Sequence, residues 1–197
     1  MENLNNKFGV IVGRFQVPEL TEGHKHLFVK ACLTFKKIII ILGDTKTFPS
    51  GYKRMDSHDP YSFELRKTMI LEWANEYTML QDKLYGIYKI EDIGNLGLWN
   101  EKLDQMLEFL GEKDYVMVGS RDSFAQGYRG KYPVHIIESD DEFKNISGTE
   151  ERQHLYKTYA ELIRSEGNVS SEFRKGILWG LMEKETLESL KNDGKQG

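Results

Sequence analysis

Cysteine is almost absent from this sequence: Cys32 is the one cysteine in 197 residues. A single cysteine excludes a disulfide within the chain and is typical of a reducing compartment, so we expect a cytoplasmic protein. Cys32 falls inside an apolar pattern with helical spacing. That position predicts a small buried hydrophobic residue rather than a nucleophile.

Long hydrophobic runs are also missing. The longest, Ile38–Leu42, has the length of a strand, far below the roughly 20 residues of a membrane-spanning helix. The segment Met1–Lys7 is polar, so we expect no signal peptide. Acidic residues slightly exceed basic ones, which gives a net charge of −4. We therefore expect no general affinity for nucleic acid and no membrane association.

Short apolar runs alternate with helical patterns along most of the chain. Strands are predicted at residues 8–12, 36–43, 84–93, 114–119 and 132–138. Helices are predicted from Gly23, from the N-cap Ser62, over 101–110, from Arg152 to Ser165, and from Ser171 onwards. This alternation predicts a doubly wound parallel α/β sheet in residues 1–165, with a C-terminal helical extension, 166–197, packed on the same domain.

The segment between the first strand and the first helix carries the strongest chemical signal. It contains Gly-Arg-Phe-Gln at residues 13–16 and Thr-Glu-Gly-His at residues 21–24. Backbone N–H groups at a helix N-terminus are unpaired and carry partial positive charge, which suits a phosphate group. Arg14 and His24 can each add a cationic donor. These residues alone predict a phosphate-binding turn at the carboxyl end of the first strand.

A second segment with anion-binding groups lies far along the chain. It reads Ile-Ser-Gly-Thr-Glu-Glu-Arg at residues 146–152. Ser147 or Thr149 can cap a helix, and Arg152 follows about one turn later. Converging hydroxyl and guanidinium groups suit a triphosphate. Taken alone, the pattern is equally that of an ordinary helix cap.

Together the two segments resemble the signatures of the nucleotidylyltransferase superfamily. More narrowly, Gly-Arg-Phe-Gln followed by Thr-x-Gly-His is similar to the nicotinamide-nucleotide adenylyltransferases, with a slightly longer linker between the halves. The resemblance covers residues 8–165. It implies adenylyl transfer from ATP to nicotinamide mononucleotide, giving NAD and pyrophosphate, with Mg²⁺ carried by the ATP and no metal site built by the protein.

The resemblance also implies roles for individual residues in three parts of a site. The catalytic group would be His24, Arg14 and Thr21. Further contacts to the phosphates of ATP would come from Gly13, Gly23, Ser147, Thr149 and Arg152. Other nucleotide contacts would come from Phe15, Gln16, Gly119, Arg121 and Asp122. The mononucleotide would be bound by Asp92, Trp99 and Arg66.

Asp92 and Trp99 bracket a predicted glycine-rich loop. An indole can stack on a pyridinium ring, an interaction worth roughly 0.5–2 kcal/mol, and a carboxylate can accept hydrogen bonds from ribose hydroxyls. Without the resemblance, a packed tryptophan and a capping aspartate would be the simpler interpretation. Arg66 would then be a surface cation on a helix.

Two other functions stay open on the sequence. One is a transferase of the same superfamily that acts on nicotinate mononucleotide, phosphopantetheine or a polyol phosphate. The other is a nucleotide-binding regulator without turnover, which the longer linker and the threonine at position 21 motivate. In each case the partners are small molecules, and a homo-oligomer is compatible with the sequence.

Overall fold

A five-stranded parallel sheet forms the centre of the molecule. The structure, a computed structural model, describes residues 3–44, 61–93, 95–111, 113–120 and 123–138. The strands are β1 (Phe8–Gly13), β2 (Lys37–Asp44), β3 (Leu84–Glu91), β4 (Tyr115–Gly119) and β5 (Val134–Ile136). Their spatial order is β3-β2-β1-β4-β5, so the winding direction reverses between β1 and β4. The predicted doubly wound α/β fold is confirmed.

Helices cover both faces of this sheet. They are α1 (Glu22–Thr34), α2 (Phe63–Asn75), α3 (Thr78–Lys83) and α4 (Leu96–Phe109), and short 3₁₀ turns lie at Leu4–Asn6 and Phe124–Gln126. Helices α1, α2 and α3 pack on one face and α4 on the other. Among the described residues, no helix is long and apolar enough to span a membrane.

Strand β2 shows why the central strands are continuously apolar. Ile38 and Ile40 belong to the core under α1, α2 and α3, whereas Ile39 and Ile41 belong to the core under α4. Successive side chains point to opposite faces of a strand, so a strand covered on both faces has no solvent side. Cys32 lies in the first of these cores and is buried, which raises the pKa of its thiol to about 11. Its predicted role as a small buried residue is confirmed.

The prediction for α4 was wrong at its N-terminus. The helix begins at Leu96 and not at Glu101, so Trp99 lies on the first turn of a helix and not in a glycine-rich loop. Asn95 caps the helix by accepting a hydrogen bond from the Leu98 N–H at 3.1 Å. Burying Trp99 together with Leu103 and Leu107, at roughly 1.5–3 kcal/mol per side chain, outweighs the cost of about 1 kcal/mol for a glycine in a helix.

Two further elements differ from the sequence prediction. Helix α3 was not predicted, and β5 is shorter than the predicted run at 132–138. β5 is an edge strand that pairs with β4 over Val134–Ile136, and Pro133, which precedes it, has no N–H to donate to the ladder. Some predictions lie outside the described residues: those for Arg121, Asp122, Ser147, Thr149 and Arg152, the helix ending at Ser165, and the extension 166–197.

Candidate active site

A cleft of about 530 Å³ opens at the carboxyl ends of the strands, at the point where the strand order reverses. In open α/β sheets this is where ligands bind, because the loops that follow β1 and β4 leave in opposite directions. The lining includes six residues that the sequence predicted for the site: Gly13, Arg14, Phe15, His24, Asp92 and Trp99. They come from four separate segments of the chain.

His24 lies at the N-terminus of α1 and is held there by Thr21. The Thr21 hydroxyl caps the helix by accepting a hydrogen bond from the His24 N–H at 3.3 Å. In return, the Nδ1 atom of His24 accepts the Thr21 N–H at 3.3 Å and lies 3.0 Å from the Thr21 hydroxyl. Burial of the imidazole lowers the pKa of His24 to about 4.

Phe15 packs against the other side of His24. Its ring meets the imidazole edge-on with 5.0 Å between centroids, and it also contacts Phe28 at 5.3 Å. Phe15 has a φ of 47°, a strained value for a bulky residue. A Cβ on Gly13 would come within 2.6 Å of the Phe15 ring, so glycine at position 13 permits this packing.

Arg66 is fully buried, so the interpretation as a surface cation was wrong. Its guanidinium donates to Asp44 Oδ1 at 2.9 Å, to the Gly43 carbonyl at 2.7 Å and to the Arg14 carbonyl at 2.6 Å. Its Nε donates to the Tyr61 carbonyl at 3.1 Å. Arg66 therefore connects the loop after β1 to the end of β2 and to the start of α2. Its contact with a mononucleotide stays a prediction.

Gln16 reinforces the same connection. Its amide donates to the Tyr61 carbonyl at 3.1 Å and accepts the Tyr61 N–H at 2.9 Å, and its side chain is buried. The paired hydrogen bonds fix the loop after β1 against the residue that precedes the cap of α2. The predicted nucleotide contact of Gln16 stays a prediction.

Arg14 and Asp92 both line the cleft and form an ion pair there. The guanidinium Nη2 lies 2.5 Å from Asp92 Oδ2, and the side chains are 53% and 38% exposed. Arg14 follows β1, whereas Asp92 follows β3, so the tertiary fold alone brings them together. The two residues predicted for different substrates thus form an ion pair with each other.

The cleft lining also contains residues that the sequence prediction missed, namely Ser120, Ser123 and Phe124. The predicted Trp99, 7% exposed, packs on Phe124 with 4.1 Å between ring centroids. A Cβ on Gly119 would collide with Ser123 Oγ at 1.8 Å, so glycine there lets the turn fold back over β4. The signal available in the sequence was that this polar turn follows β4, whose carboxyl end borders the cleft.

The part of the chain that the structure describes contains no group of three or more His, Cys, Asp or Glu residues that could hold a metal ion.

Solved structures with a similar fold include a bifunctional NMN adenylyltransferase/ADP ribose pyrophosphatase and a NadR protein. A bifunctional NMN adenylyltransferase/ADP ribose pyrophosphatase from Francisella tularensis, complexed with AMP and a Mn ion, gives a TM-score of 0.65 at 21% identity over 97% of this chain. A NadR protein in complex with NAD and AMP-PNP gives a TM-score of 0.51 at 12% identity over 79% of this chain.

The shared feature is the fold. This chain spans 56% of the length of the Francisella protein and 44% of the NadR protein. No family model and no curated protein matches the sequence.

Proposed function

We propose that this chain transfers the adenylyl group of ATP to nicotinamide mononucleotide, which gives NAD and pyrophosphate. The observation that carries the proposal is the convergence of Arg14, His24, Asp92 and Trp99 on one cleft. The N-terminus of α1, with His24 and Arg14, suits phosphate groups. Asp92 and Trp99 offer a carboxylate for ribose hydroxyls and an aromatic surface for a pyridine ring.

The size of the cleft and the fold neighbours support this proposal. A volume of about 530 Å³ falls within the usual range for small-molecule sites. The neighbours with the same fold bind AMP or NAD and include an NMN adenylyltransferase. Another solved NadR structure is a complex with NR, at a TM-score of 0.52.

The chemistry asks the protein mainly for positioning. An oxygen of the mononucleotide 5′-phosphate attacks the α-phosphorus of ATP, and the bond to the pyrophosphate oxygen breaks, so no covalent enzyme intermediate is needed. Catalysis then depends on aligning two anions and on donors that meet the charge developing at the α-phosphate. His24 and Arg14 would supply those donors, and Mg²⁺ would enter bound to the ATP. Contacts of Ser147, Thr149 and Arg152 to the β- and γ-phosphates stay predictions.

The test is incubation of the purified protein with ATP, Mg²⁺ and nicotinamide mononucleotide, with NAD and pyrophosphate followed by chromatography. We expect both products in equal amounts. His24→Ala should lower kcat by about 10²–10³-fold, the usual cost of one lost transition-state donor. Lys30→Ala, an exposed change on the same helix, is the matched control and should leave turnover unchanged.

Other outcomes identify the alternatives. If the protein forms product only with nicotinate mononucleotide, phosphopantetheine or a polyol phosphate, the reaction is still adenylyl transfer but the acceptor is a different one. Binding of ATP or NAD by calorimetry, with no pyrophosphate from any acceptor, would replace the proposal with a regulator. Normal turnover in the His24→Ala variant would remove His24 from the mechanism.

A further inference from the structure

The hydrogen bonds between Thr21 and His24 determine where the imidazole can carry its proton. A backbone N–H can only donate, and the Thr21 N–H points at Nδ1 of His24 at 3.3 Å. Nδ1 must therefore offer a lone pair, because a proton on it would face the amide hydrogen. A neutral imidazole with an unprotonated Nδ1 carries its proton on Nε2.

The Thr21 hydroxyl is consistent with the same tautomer. It accepts the His24 N–H at 3.3 Å, which leaves its own hydrogen free to donate to Nδ1 at 3.0 Å. A hydroxyl has one donor and two acceptor positions, so both contacts are satisfied at once. All hydrogen bonds of the imidazole within the described residues run through Nδ1. Nε2 is left for a ligand in the cleft that His24 lines.

The electrostatic setting disfavours the imidazolium form. His24 lies in the first turn of α1, where the partial positive charge of the helix N-terminus repels a cation. Burial acts in the same direction and lowers the pKa of His24 to about 4. Near neutral pH the residue is thus uncharged, in contrast to the cationic donor expected from the sequence.

We propose that Thr21 is a positioning residue that fixes His24 as the neutral Nε2–H tautomer, so that the cleft presents an uncharged N–H donor to an anionic group. This role differs from the catalytic role predicted for Thr21, since its hydroxyl is engaged with His24. The identity of the anion rests on the proposed function. The tautomer is a property of the protein without ligand and can be measured without any turnover.

The deciding experiment is long-range ¹H–¹⁵N correlation NMR of the histidine side chains at pH 7, in the absence of ligands. The chain has five histidines, and His24→Gln assigns the signal of interest by its loss. We expect an unprotonated, pyridine-like Nδ1 and a protonated, pyrrole-like Nε2 for His24. A protonated Nδ1, alone or in an imidazolium, would overturn the proposal.

Variants of Thr21 test whether it is the cause. Thr21→Ser keeps both the hydroxyl and the backbone N–H and should keep the tautomer. Thr21→Pro removes both donors at a φ of −67°, which proline adopts, and should move both nitrogen signals toward a mixture of tautomers. Ser62→Ala is the matched control, because Ser62 caps α2 through the Leu65 N–H at 3.3 Å without contacting His24. Circular dichroism confirms that each variant is folded. A Thr21→Pro spectrum identical to that of the wild type would contradict the positioning role.

Discussion

Gly23 has space for a methyl group in the folded protein. Among the residues that the structure describes, a Cβ built there meets only the Thr21 hydroxyl, at 3.8 Å, which is ordinary contact. Packing in the free protein therefore does not require a glycine at this position. A ligand that approaches the helix N-terminus closely would require one.

Gly23→Ala separates these two explanations. We expect an unchanged or slightly raised melting temperature, since alanine is favoured over glycine in helices by up to about 1 kcal/mol. We expect the affinity for ATP to fall by about tenfold or more, because the methyl group blocks phosphate from the amides of α1. Calorimetric titration with ATP and thermal unfolding measure the two effects.

Gly97→Ala is the control for that substitution. Gly97 is the second residue of α4, as Gly23 is of α1, and a Cβ there meets Asn95 Oδ1 at 3.4 Å. The affinity of the Gly97→Ala variant for ATP should equal that of the wild type. If both alanine variants bind ATP normally, the phosphates do not lie at the N-terminus of α1.

The lowered pKa of His24 makes stability depend on pH. As pH falls below 6.5, His24 becomes protonated in the unfolded chain. In the folded protein it stays neutral until pH falls to about 4. This stability contribution is present above pH 6.5 and is lost as pH falls. Between pH 7 and pH 5 we expect His24 to lower the free energy of unfolding by about 2 kcal/mol.

Urea denaturation of the wild type and His24→Gln at both pH values measures this quantity. The difference between the two pH values should be larger in the wild type, because glutamine does not titrate. Equal pH dependence in the two proteins would mean that the pKa of His24 is not lowered.

At the scale of elements, Arg66 forms hydrogen bonds to the loop after β1, to the end of β2 and to the start of α2. It contacts the Arg14 carbonyl, the Gly43 carbonyl and the Asp44 carboxylate from inside the protein. The carboxylate is buried as well, and Lys89 Nζ lies 3.8 Å from its other oxygen. The pair stabilises the position of the loop that presents Arg14 to the cleft.

Arg66→Met should be strongly destabilising. Removing one partner of a buried ion pair leaves the other without full compensation, at a cost of about 3–5 kcal/mol. Equilibrium urea unfolding measures the loss. Arg129→Met is the control, because Arg129 is exposed and donates to the carbonyls of Gln126 and Tyr128 at 2.7 Å. If the two variants lose the same free energy of unfolding, the buried Arg66–Asp44 pair stabilises the protein no more than the exposed contacts of Arg129 do.

At the scale of the whole molecule, the cleft joins segments that are distant in the sequence. Arg14 and Asp92 are 78 positions apart, yet they form an ion pair in the lining of the cleft. Both side chains are substantially exposed, so the pair contributes little to stability, about 0–1 kcal/mol. Its main effect is electrostatic: the carboxylate offsets the charge that Arg14 would offer to a phosphate.

Asp92→Asn should therefore strengthen the binding of ATP alone. We expect the Kd for ATP to fall several-fold and to rise more steeply with salt, while the melting temperature stays nearly constant. Under the proposed function, the KM for the mononucleotide should rise, since a predicted contact is lost. Titration calorimetry at two salt concentrations, followed by steady-state kinetics, measures these effects.

Glu91→Gln makes the same change of charge one residue away. Glu91 pairs with Lys102 at 3.5 Å and is not among the residues that line the cleft. The affinity of the Glu91→Gln variant for ATP should match that of the wild type. If the two variants behave alike, the pairing with Arg14 does not control the charge of the cleft.

Much of the fold could be predicted because its signals are local. The central strands are uninterrupted apolar runs. Helices α1 and α2 begin directly after Thr21 and Ser62, which cap them as their residue types favour. The apolar spacing of Trp99, Leu103 and Leu107 is that of a helix and indicates that α4 begins before Glu101. The glycines near the N-terminus of α4 favoured a loop instead. There the prediction failed because burial against the sheet outweighs the local preference.

The sequence by itself determined the alternation of strands and helices and the polar turn at the start of α1, since both depend on neighbouring residues. Tertiary structure alone decided the partners of the charged and amide side chains. Whether Arg66 is exposed, whether Gln16 faces inward and whether Arg14 meets Asp92 depend on where β2, β3 and α2 lie. Hydrophobic periodicity depends on residues that are close in the sequence, whereas these buried hydrogen bonds join two segments that only folding brings together.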